Sequence, residues 1–425
     1  MKKTLIAMAA AMLATTTVHA TEFYISPNTM IGLDHVFFIM MENKTDVDIL
    51  NNPNAPFINA WAGTVPNASL SKVIANRATN YFGVGHPSAP NYLEAVGGSN
   101  FGVNNDVWPN WVNGGCVDNA PSTGCGGAFT PIAVAGVDNA VVATATSSSQ
   151  CNGQISLSGT PAPNNCALYN YPSTGFTPKS IADQLVAVGK SWKAYEENLP
   201  MIHASPIVDG INYSDGTRTN LSPVADFAPG AIQKLYAVKH NPFVYFSNIQ
   251  QGTNPLLSYN QIQGFEGVEG LWADLQQHPL IGNVVFGQNE SHVPNFSLIV
   301  PDQCGDMHGG VSGGTPICSA GTSAEAQLLI AQGDSEVQKL VNGIKASDAW
   351  KSGRNAIVMT YDENDFSNEA NRVVFLVETN YGPNGRVSNV AYDHFSLLRT
   401  LEAAFGLPCL NHACDSTSKI MSDLF

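Results

Sequence analysis

The chain has 425 residues and a formal net charge of −15 at pH 7, with histidine counted as neutral. So acidic a protein is poorly suited to binding nucleic acid or an anionic membrane surface, and we expect no nucleic-acid partner. An anionic substrate would need a local positive centre to offset this charge, and a metal ion would provide one. The length allows one large domain or two, with a substantial core in either case.

The first 20 residues predict an export signal rather than a part of the fold. Lys2 and Lys3 form a charged start, residues 4–13 form an apolar stretch, and Val18-His19-Ala20 resembles a cleavage site. The apolar stretch is too short to span a bilayer comfortably, and no later stretch reaches the required length. We therefore expect processing near Thr21 and a periplasmic or secreted protein without an integral membrane segment.

The stretch His35–Met41 is almost entirely apolar and stops abruptly at Glu42 and Asn43. A short continuous apolar run is typical of a strand covered on both faces, as in a parallel sheet. In open α/β sheets, ligands bind beyond the carboxyl ends of such strands, where an acid and an amide can offer oxygen atoms. The alternative is a buried first strand followed by an ordinary polar turn.

Short apolar strands alternate with helical patterns along most of the chain. After the first strand, we predict strands at residues 190–196, 242–247, 296–300, 356–361 and 372–378. Helices are predicted at residues 177–189, 228–239, 265–277, 323–344 and 394–405, with a weaker candidate at 55–63. This alternation implies βαβ units. The predicted fold class is α/β, with a doubly wound, mostly parallel sheet flanked by helices.

Residues 97–176 interrupt this alternation. Their composition shifts to Gly, Asn, Ser, Thr and Ala, and strong periodicity disappears. Segments this long without regular structure are usually functional or carry structure of their own. We predict a disulfide-stapled insertion or cap at 97–176, within a single domain of residues 21–425.

The 8 cysteines of the chain fall into close couples, and an even number in an exported protein predicts disulfides. A zinc–thiolate site is disfavoured because no couple has CxxC spacing. Eight cysteines allow about 105 connectivities. Among these we expect near-neighbour pairing, namely Cys116 with Cys125, Cys151 with Cys166, Cys304 with Cys318, and Cys409 with Cys414.

Polar side chains follow or adjoin several of the predicted strands. They are Glu42 and Asn43, Ser191, His308, and Asp362 and Glu363. Because a parallel sheet brings its carboxyl ends to one edge, residues far apart in sequence would meet in one cleft. Carboxylate and amide oxygens together with a serine hydroxyl suit a hard divalent cation. Contact with the metal would activate Ser191 as a nucleophile.

Histidines complete a scheme for phosphoryl transfer through a covalent phosphoserine. His86 lies between Gly85 and Pro87 and is predicted in a turn, where it could bind phosphate or transfer a proton. Such histidines would hold the oxygens of the transferred group and protonate the leaving alcohol. The alternative for each of them is an ordinary solvated turn residue.

Seven motifs, in order from the first strand to the last helix, resemble those of a bacterial phosphoesterase family. They lie at residues 35–45, 86–93, 191–197, 239–243, 299–302 with 306–308, 360–365 and 393–402. That family joins respiratory-burst-inhibiting acid phosphatases with non-specific phospholipases C, and it belongs to the alkaline phosphatase superfamily. The resemblance implies an alkaline phosphatase-like fold, and the 97–176 insertion has no matching motif.

Carried over residue by residue, the resemblance implies a metal site and a phosphate pocket. Some relatives carry threonine as the nucleophile and two aspartates at the positions of Asp362 and Glu363, so Asp365 is a possible substitute for Glu363. His394 is expected to support the site or the fold rather than to act in catalysis. The implied metal ligands are Glu42, Asn43, Asp362, Glu363 and Ser191, and the phosphate pocket is formed by His86, His240 and His308.

The sequence therefore predicts an exported, metal-dependent, acid phosphatase-like phosphomonoesterase with a phosphoserine intermediate at Ser191. Oxygen-rich ligands favour Ca²⁺, Mg²⁺ or Mn²⁺, and zinc stays open. The expected partner is a small phosphate ester or a phospholipid headgroup. One alternative is a phospholipase C, and an alternative of another class is a secreted binding protein that has lost catalysis.

Overall fold

An eight-stranded sheet organises the part of the chain that the structure, a computed structural model, describes. Short strand pairs are also assigned at 111–112 with 115–116, 131–133 with 141–143, 222–223 with 232–233, and 311–312 with 315–316. The residues described in full are 30–65, 71–101, 103, 178–199, 235–237, 239–246, 248–249, 254–267, 269–276, 293–309, 318–365 and 370–425.

The strands of the main sheet come from both halves of the chain. We number them β1 (His35–Met41), β2 (Asn76–Phe82), β3 (Trp192–Glu196), β4 (Ile262–Gln263), β5 (Phe296–Val300), β6 (Asn355–Tyr361), β7 (Phe375–Thr379) and β8 (Val387–Asp393). Their order across the sheet is β4-β3-β5-β1-β6-β7-β2-β8.

Seven of these strands run in one direction and β7 runs against them. The pairs that β7 forms with β6 and with β2 are antiparallel, and every other neighbouring pair is parallel. The carboxyl ends of the parallel strands therefore share one side of the sheet, which we call the carboxyl edge, and the opposite side is the amino edge. The predicted mostly parallel α/β fold is confirmed.

Helices flank the sheet, and side-chain caps at Thr322 and Asp393 start the two longest of them. Asp393 accepts a hydrogen bond from the backbone N–H of Ser396 to start the last helix, and Gly406 ends it in the left-handed conformation. The helices are α1 (Asp46–Ile49), α2 (Pro56–Trp61), α3 (Ser88–Gly97), α4 (Ile181–Ala187), α5 (Ser247–Gln250), α6 (Leu271–Gln276), α7 (Ser323–Ala346), α8 (Asp348–Lys351) and α9 (His394–Phe405).

Burial explains why the central strands were readable from sequence. β1 and β6 are adjacent in the middle of the sheet, and all of β6 and all but the first residue of β1 are buried. Strands covered on both faces read as continuous apolar runs. β8 lies at one edge of the sheet, and its burial alternates along the strand.

Within the described residues, no helix is both long and apolar enough to cross a membrane.

Several predicted elements have the predicted bounds, and others differ. The strands at 35–41 and 296–300 and the helix at 394–405 are confirmed residue for residue. The strand predicted at 242–247 is wrong, because Pro242–Tyr245 is a 3₁₀ helix, where Pro242 occupies the first turn. The predicted helix at 228–239 lies partly outside the described residues, and Ile232–Gln233 within it is a strand.

Two of the four predicted disulfides are formed between described cysteines. Cys304 bonds to Cys318 and Cys409 bonds to Cys414, as near-neighbour pairing predicts. The other two predicted pairs, most of the 97–176 insertion and the 1–20 export signal lie outside the described residues.

A buried carboxyl group in α9 predicts that stability falls as pH rises. Burial raises the pKa of Glu402 to about 9, whereas a glutamate in an unfolded chain titrates near about 4.3. The folded state holds a proton that the unfolded chain releases. The contribution of this carboxyl group to the free energy of unfolding is therefore full below about pH 4 and is lost as pH rises towards about 9. Thermal unfolding of Glu402→Gln is expected to match wild type near pH 4 and to occur a few degrees higher near pH 8.

The matched control for Glu402→Gln is Glu266→Gln, since Glu266 is exposed. That variant should follow the wild-type melting temperature at every pH. If the melting temperatures of wild type and Glu402→Gln change in parallel with pH, the assignment of a buried proton to this carboxyl group is contradicted.

Candidate active site

Two neighbouring strands bring four predicted ligand residues together at the carboxyl edge. β1 and β6 are in register up to Met41 and Tyr361, so the residues that follow them are adjacent. The backbone N–H of Asn43 donates to Asp362 Oδ1 at 3.1 Å. One carboxylate oxygen each from Glu42, Asp362 and Glu363 lies within 4.8 Å of the others. This cluster of three carboxylates is the acidic centre of the site.

The acidic centre is buried, and its electrostatics favour a cation. Burial, with the nearby Glu42 and Glu363 carboxylates, raises the pKa of Asp362 well above its usual range. Burial also opposes ionisation of Glu42, but the positive charge of His240 and Lys239 holds the Glu42 pKa well below its usual range. Three carboxylates in so small a volume repel each other unless protons or a cation intervene.

The donor set fits a hard divalent cation. Asp362 Oδ2 and Asn43 Oδ1 are buried, and neither accepts a hydrogen bond from any described residue. Buried polar atoms normally have a partner, so two such oxygens beside an acidic cluster leave acceptor capacity for a ligand. Carboxylate and amide oxygens are the ligands that Ca²⁺, Mg²⁺ and Mn²⁺ prefer.

Ser88 joins this acidic centre from the first position of α3. Its side chain is fully buried, and its hydroxyl lies 2.5 Å from Glu42 Oε1 and 3.2 Å from Glu363 Oε1. Since a hydroxyl has one proton, it donates to one of these carboxylates at a time. Lys239 Nζ lies 3.3 Å from the Ser88 oxygen and can donate to it. Ser88 is therefore a hydroxyl held between carboxylate bases and an ammonium group.

The turn that carries Ser88 is held by its own helix. It follows β2 at the carboxyl edge, and Asn91 Oδ1 accepts hydrogen bonds from the backbone N–H groups of Val84 and Gly85 at 2.9 and 3.0 Å. Asn91 Nδ2 lies 3.3 Å from Glu363 Oε2 and connects this turn to the acidic centre. The start of α3 also provides the positive end of a helix dipole.

The three predicted phosphate-pocket histidines all reach the acidic centre. His86 Nδ1 lies 2.6 Å from Glu363 Oε2, and its side chain is 27% exposed. His240 lies between Glu42 Oε2 at 3.2 Å and Asp306 Oδ2 at 3.4 Å. His308 Nε2 lies 3.8 Å from Glu42 Oε1. The fold thus brings His86, His240 and His308 together, although they come from three separate segments.

The pKa values of His240 and His308 shift in opposite directions. Burial lowers the pKa of His240, but the Glu42 and Asp306 carboxylates overcome this effect and raise the pKa to about 9. Burial and the positive charge of Lys239 lower the pKa of His308 to about 4. In the metal-free site these shifts favour the charged form of His240 and the neutral form of His308 at neutral pH.

Two other predicted residues take supporting or peripheral positions. His394 is buried, with Nε2 at 2.6 Å from the backbone oxygen of Asp362 and Nδ1 at 3.0 Å from the Tyr81 hydroxyl. These contacts support the turn that carries Asp362. Asp365, the suggested substitute for Glu363, is exposed.

The structure places Ser191, the predicted nucleophile and metal ligand, at the opposite edge of the sheet from the acidic centre. Ser191 precedes β3, so it lies at the amino edge, where its backbone N–H and hydroxyl contact Asn295 Oδ1 at 2.9 and 3.2 Å. Asn295 in turn donates to the backbone oxygen of Asp34, which precedes β1. A five-residue strand spans roughly 16 Å, and this distance separates Ser191 from the carboxyl edge.

Sequence reasoning missed Ser88 and Lys239. Ser88 stands two residues after His86, which was singled out as a turn residue. A serine in a turn that precedes a helix, close to a candidate phosphate-binding histidine, was the available signal. Lys239 precedes His240 in a segment whose predicted helix gave no indication of where the side chain would point.

Comparisons with known proteins identify the family of the chain. The model of the phosphoesterase family matches residues 70–408. Over 413 residues the chain is 21% identical to the phosphatidylinositol-3-phosphatase of Mycobacterium tuberculosis, covering 96% of this chain and 89% of the relative. A phosphate-repressible acid phosphatase of Penicillium chrysogenum is 24% identical, and the alignment covers 83% of this chain and 60% of the relative. An Aspergillus fumigatus acid phosphatase is 22% identical, and the alignment covers 78% of this chain and 48% of the relative. The chain thus spans about half to three-fifths of these fungal relatives.

Solved structures align with the chain at low sequence identity. A Vibrio parahaemolyticus protein of the alkaline phosphatase superfamily aligns with a TM-score of 0.41 and 11% identity, over 91% of this chain and 72% of that one. The lipoteichoic acid synthase LtaP of Listeria monocytogenes aligns with a TM-score of 0.44 and 8% identity, over 92% and 76%.

Proposed function

The chain belongs to the phosphoesterase family and is a phosphoric ester hydrolase, and from this premise we propose a metal-dependent phosphomonoesterase that uses Ser88 as its nucleophile. The observation that carries the proposal is the position of the Ser88 hydroxyl, in hydrogen-bond contact with Glu42, Glu363 and Lys239. An activated nucleophile needs a base within such reach. The same contacts support this role, because the Ser88 hydroxyl lies at the acidic centre that fits a divalent cation.

The reaction has two balanced steps. The Ser88 oxygen forms a bond to phosphorus, its proton passes to a neighbouring carboxylate, and the bond from phosphorus to the alcohol oxygen breaks. We assign protonation of the departing alcohol to His86, which is partly exposed and paired with Glu363. Water then attacks the phosphoserine, releasing inorganic phosphate and restoring the Ser88 hydroxyl.

The cations around Ser88 would stabilise the charge of the transferred phosphoryl group. Lys239 and the His240 imidazolium provide the local positive charge that an acidic protein needs to bind an anionic substrate. A divalent cation held by Glu42, Asn43, Asp362 and Glu363, with Ser88 replacing Ser191 in the predicted set, would lower the pKa of the serine and offset phosphate charge.

The names of the relatives support a monoester substrate over a diester. Two fungal relatives are acid phosphatases, and the mycobacterial relative is named for a phosphate on an inositol lipid. A soluble phosphomonoester and a monoester carried by a lipid headgroup share the group that is hydrolysed. The phospholipase C alternative requires hydrolysis of a diester instead.

A screen of phosphate esters with and without chelator tests the proposal. We expect hydrolysis of p-nitrophenyl phosphate or of phosphatidylinositol 3-phosphate vesicles that EDTA abolishes and added Mn²⁺, Mg²⁺ or Ca²⁺ restores. Faster hydrolysis of phosphatidylcholine than of any monoester would favour the phospholipase C. Protein that binds no metal and hydrolyses neither class would favour the secreted binding protein.

We also propose a periplasmic or secreted location. The supporting observations are the Cys304–Cys318 and Cys409–Cys414 disulfides, since such bonds persist mainly in oxidising compartments. Fractionation of the producing cells, with detection of a chain that begins near Thr21, tests this location.

A further inference from the structure

Lys44 follows the proposed metal ligands, and its ammonium group is buried between two loops. The residue is 8% exposed. Its Nζ donates to the backbone oxygen of Asn43 at 2.9 Å and to that of Met307 at 2.8 Å. Lysine is almost never fully buried unless it is paired. One buried charge thus connects the loop after β1 with the loop after β5.

Both acceptors belong to residues in the left-handed backbone region. Asn43 has a φ of 52° and Met307 has a φ of 80°. Non-glycine residues adopt this region at a cost, which is met only when the surroundings hold them there. Met307 is held in part by the Tyr361 hydroxyl, which lies 3.3 Å from its sulfur, and by close packing against Gly333.

Each bridged residue is directly connected to the proposed chemistry. Asn43 contributes one of the unpaired buried oxygens of the acidic centre, and Met307 precedes His308, which faces Glu42. A backbone hydrogen bond of 2.9 Å from Glu42 N–H to the Asp306 oxygen joins the same two loops. The Lys44 ammonium is therefore the side-chain part of a link between the metal ligands and the phosphate-pocket histidines.

We propose that Lys44 is a positioning residue that fixes Asn43 and His308 relative to each other. This inference rests on the proposed function, because it concerns the same site. Without the ammonium group, both carbonyl groups lose a charged donor, and the two left-handed residues lose a common anchor. The consequence is a less well-ordered metal site and a misplaced His308, although Lys44 contacts neither a metal nor the substrate.

Lys44→Met tests the proposal, because methionine fills a similar volume without a donor. We expect Mn²⁺, measured by equilibrium dialysis, to bind about 10- to 100-fold more weakly, as is typical when a partner of a metal ligand is lost. The kcat/KM for p-nitrophenyl phosphate should fall by a similar factor. Lys44→Gln, which keeps a shorter neutral donor, should show a smaller loss of both quantities.

Lys193→Met is the matched control, since Lys193 is also largely buried and paired. Its Nζ lies 2.7 Å from Asp274, its side chain is 12% exposed, and it lies in β3 near the amino edge. This variant is expected to lower the melting temperature while leaving Mn²⁺ binding and KM unchanged. A merely structural role for Lys44 would give the same pattern as Lys193.

The outcomes separate this inference from the proposed function. If the Mn²⁺ affinity and the kcat/KM of Lys44→Met are both within about twofold of the wild-type values, the role of Lys44 is overturned and the phosphatase proposal stands. Wild-type protein that neither binds Mn²⁺ nor hydrolyses a monoester would overturn the proposed function itself. If Lys44→Met does not fold, the same thresholds apply to Lys44→Gln.

Discussion

Ser88→Ala is expected to lower kcat for p-nitrophenyl phosphate by about 10⁴-fold or more, which is typical for loss of a covalent nucleophile. Alanine removes the hydroxyl that contacts Glu42 and Glu363 and leaves the α3 backbone unchanged. Water could still reach the phosphorus, but it would lack the fixed position of a residue at the start of a helix.

The matched control is Ser191→Ala, because Ser191 has the same side chain at the opposite edge of the sheet. Its partner is Asn295, whose Oδ1 accepts hydrogen bonds from the Ser191 backbone N–H and hydroxyl and so connects the starts of β3 and β5. We expect kcat within about twofold of wild type and at most a modest loss of stability.

Trapping the intermediate separates a nucleophilic role from a structural one. Acid quenching during turnover should leave a phosphoryl group on a peptide that contains Ser88 in wild type, and none in Ser88→Ala. Full activity in Ser88→Ala, or a phosphopeptide that contains Ser191, would contradict the assignment.

The separation of Ser191 from the acidic centre has a specific structural cause. Ser191 was predicted to lie beside a strand, and the strand prediction was right to within two residues. The rule that ligands bind at carboxyl ends requires the residue after a strand, and Ser191 comes before one. The direction of the chain, which the sequence records, was therefore sufficient to place Ser191 at the amino edge. Choosing Ser88 instead required the β2 strand, which was not predicted.

The predictable parts of the fold are those where burial alone determines the pattern. β1, β5 and β6 are central and almost wholly buried, so their apolar runs identified both the strands and the polar residues that follow. β2 has the sequence Asn76-Arg77-Ala78-Thr79-Asn80 at its start, and its polar side chains are stabilised by specific contacts such as that of Asn76 with the Leu424 oxygen. Pattern analysis cannot anticipate such long-range contacts.

The same distinction applies to the site. Glu42, Asn43, Asp362 and Glu363 follow readable strands, so their meeting could be expected. Lys239 and Asp306 lie in loops whose course depends on tertiary packing. The charge that Asp306 and Glu42 together impose on His240 is a property of the folded chain alone.

Asp362→Asn is expected to abolish both metal binding and hydrolysis while raising the stability of the metal-free protein. Asp362 Oδ1 accepts hydrogen bonds from the Asn43 and Glu363 backbone N–H groups at 3.1 and 2.6 Å, and an asparagine oxygen can accept both. The substitution removes one of three mutually repelling buried carboxylates, so folding no longer requires that charge to be buried or protonated. The substitution weakens cation binding, because it removes a carboxylate from the acidic centre.

Thermal unfolding with and without Mn²⁺ makes this prediction quantitative. A ligand that binds only the folded state at about 100 times its Kd stabilises by about 2.7 kcal/mol. Wild type should therefore melt at a higher temperature with Mn²⁺ than with EDTA, whereas Asp362→Asn should melt at the same temperature in both. In EDTA the variant should melt above wild type.

Asp274→Asn is a control for which we expect the opposite change in melting temperature. Asp274 is also buried, but it is paired with Lys193 at 2.7 Å and with the Tyr195 hydroxyl at 2.6 Å, so removing its charge leaves a buried ammonium group without a carboxylate. That variant should melt below wild type in EDTA and retain the full Mn²⁺ response. If Asp362→Asn also melts lower and retains the response, Asp362 is a structural acid and the cation site must be sought elsewhere. Stabilisation together with lost activity would instead identify the acidic centre as a site whose charges are kept for function at the expense of stability.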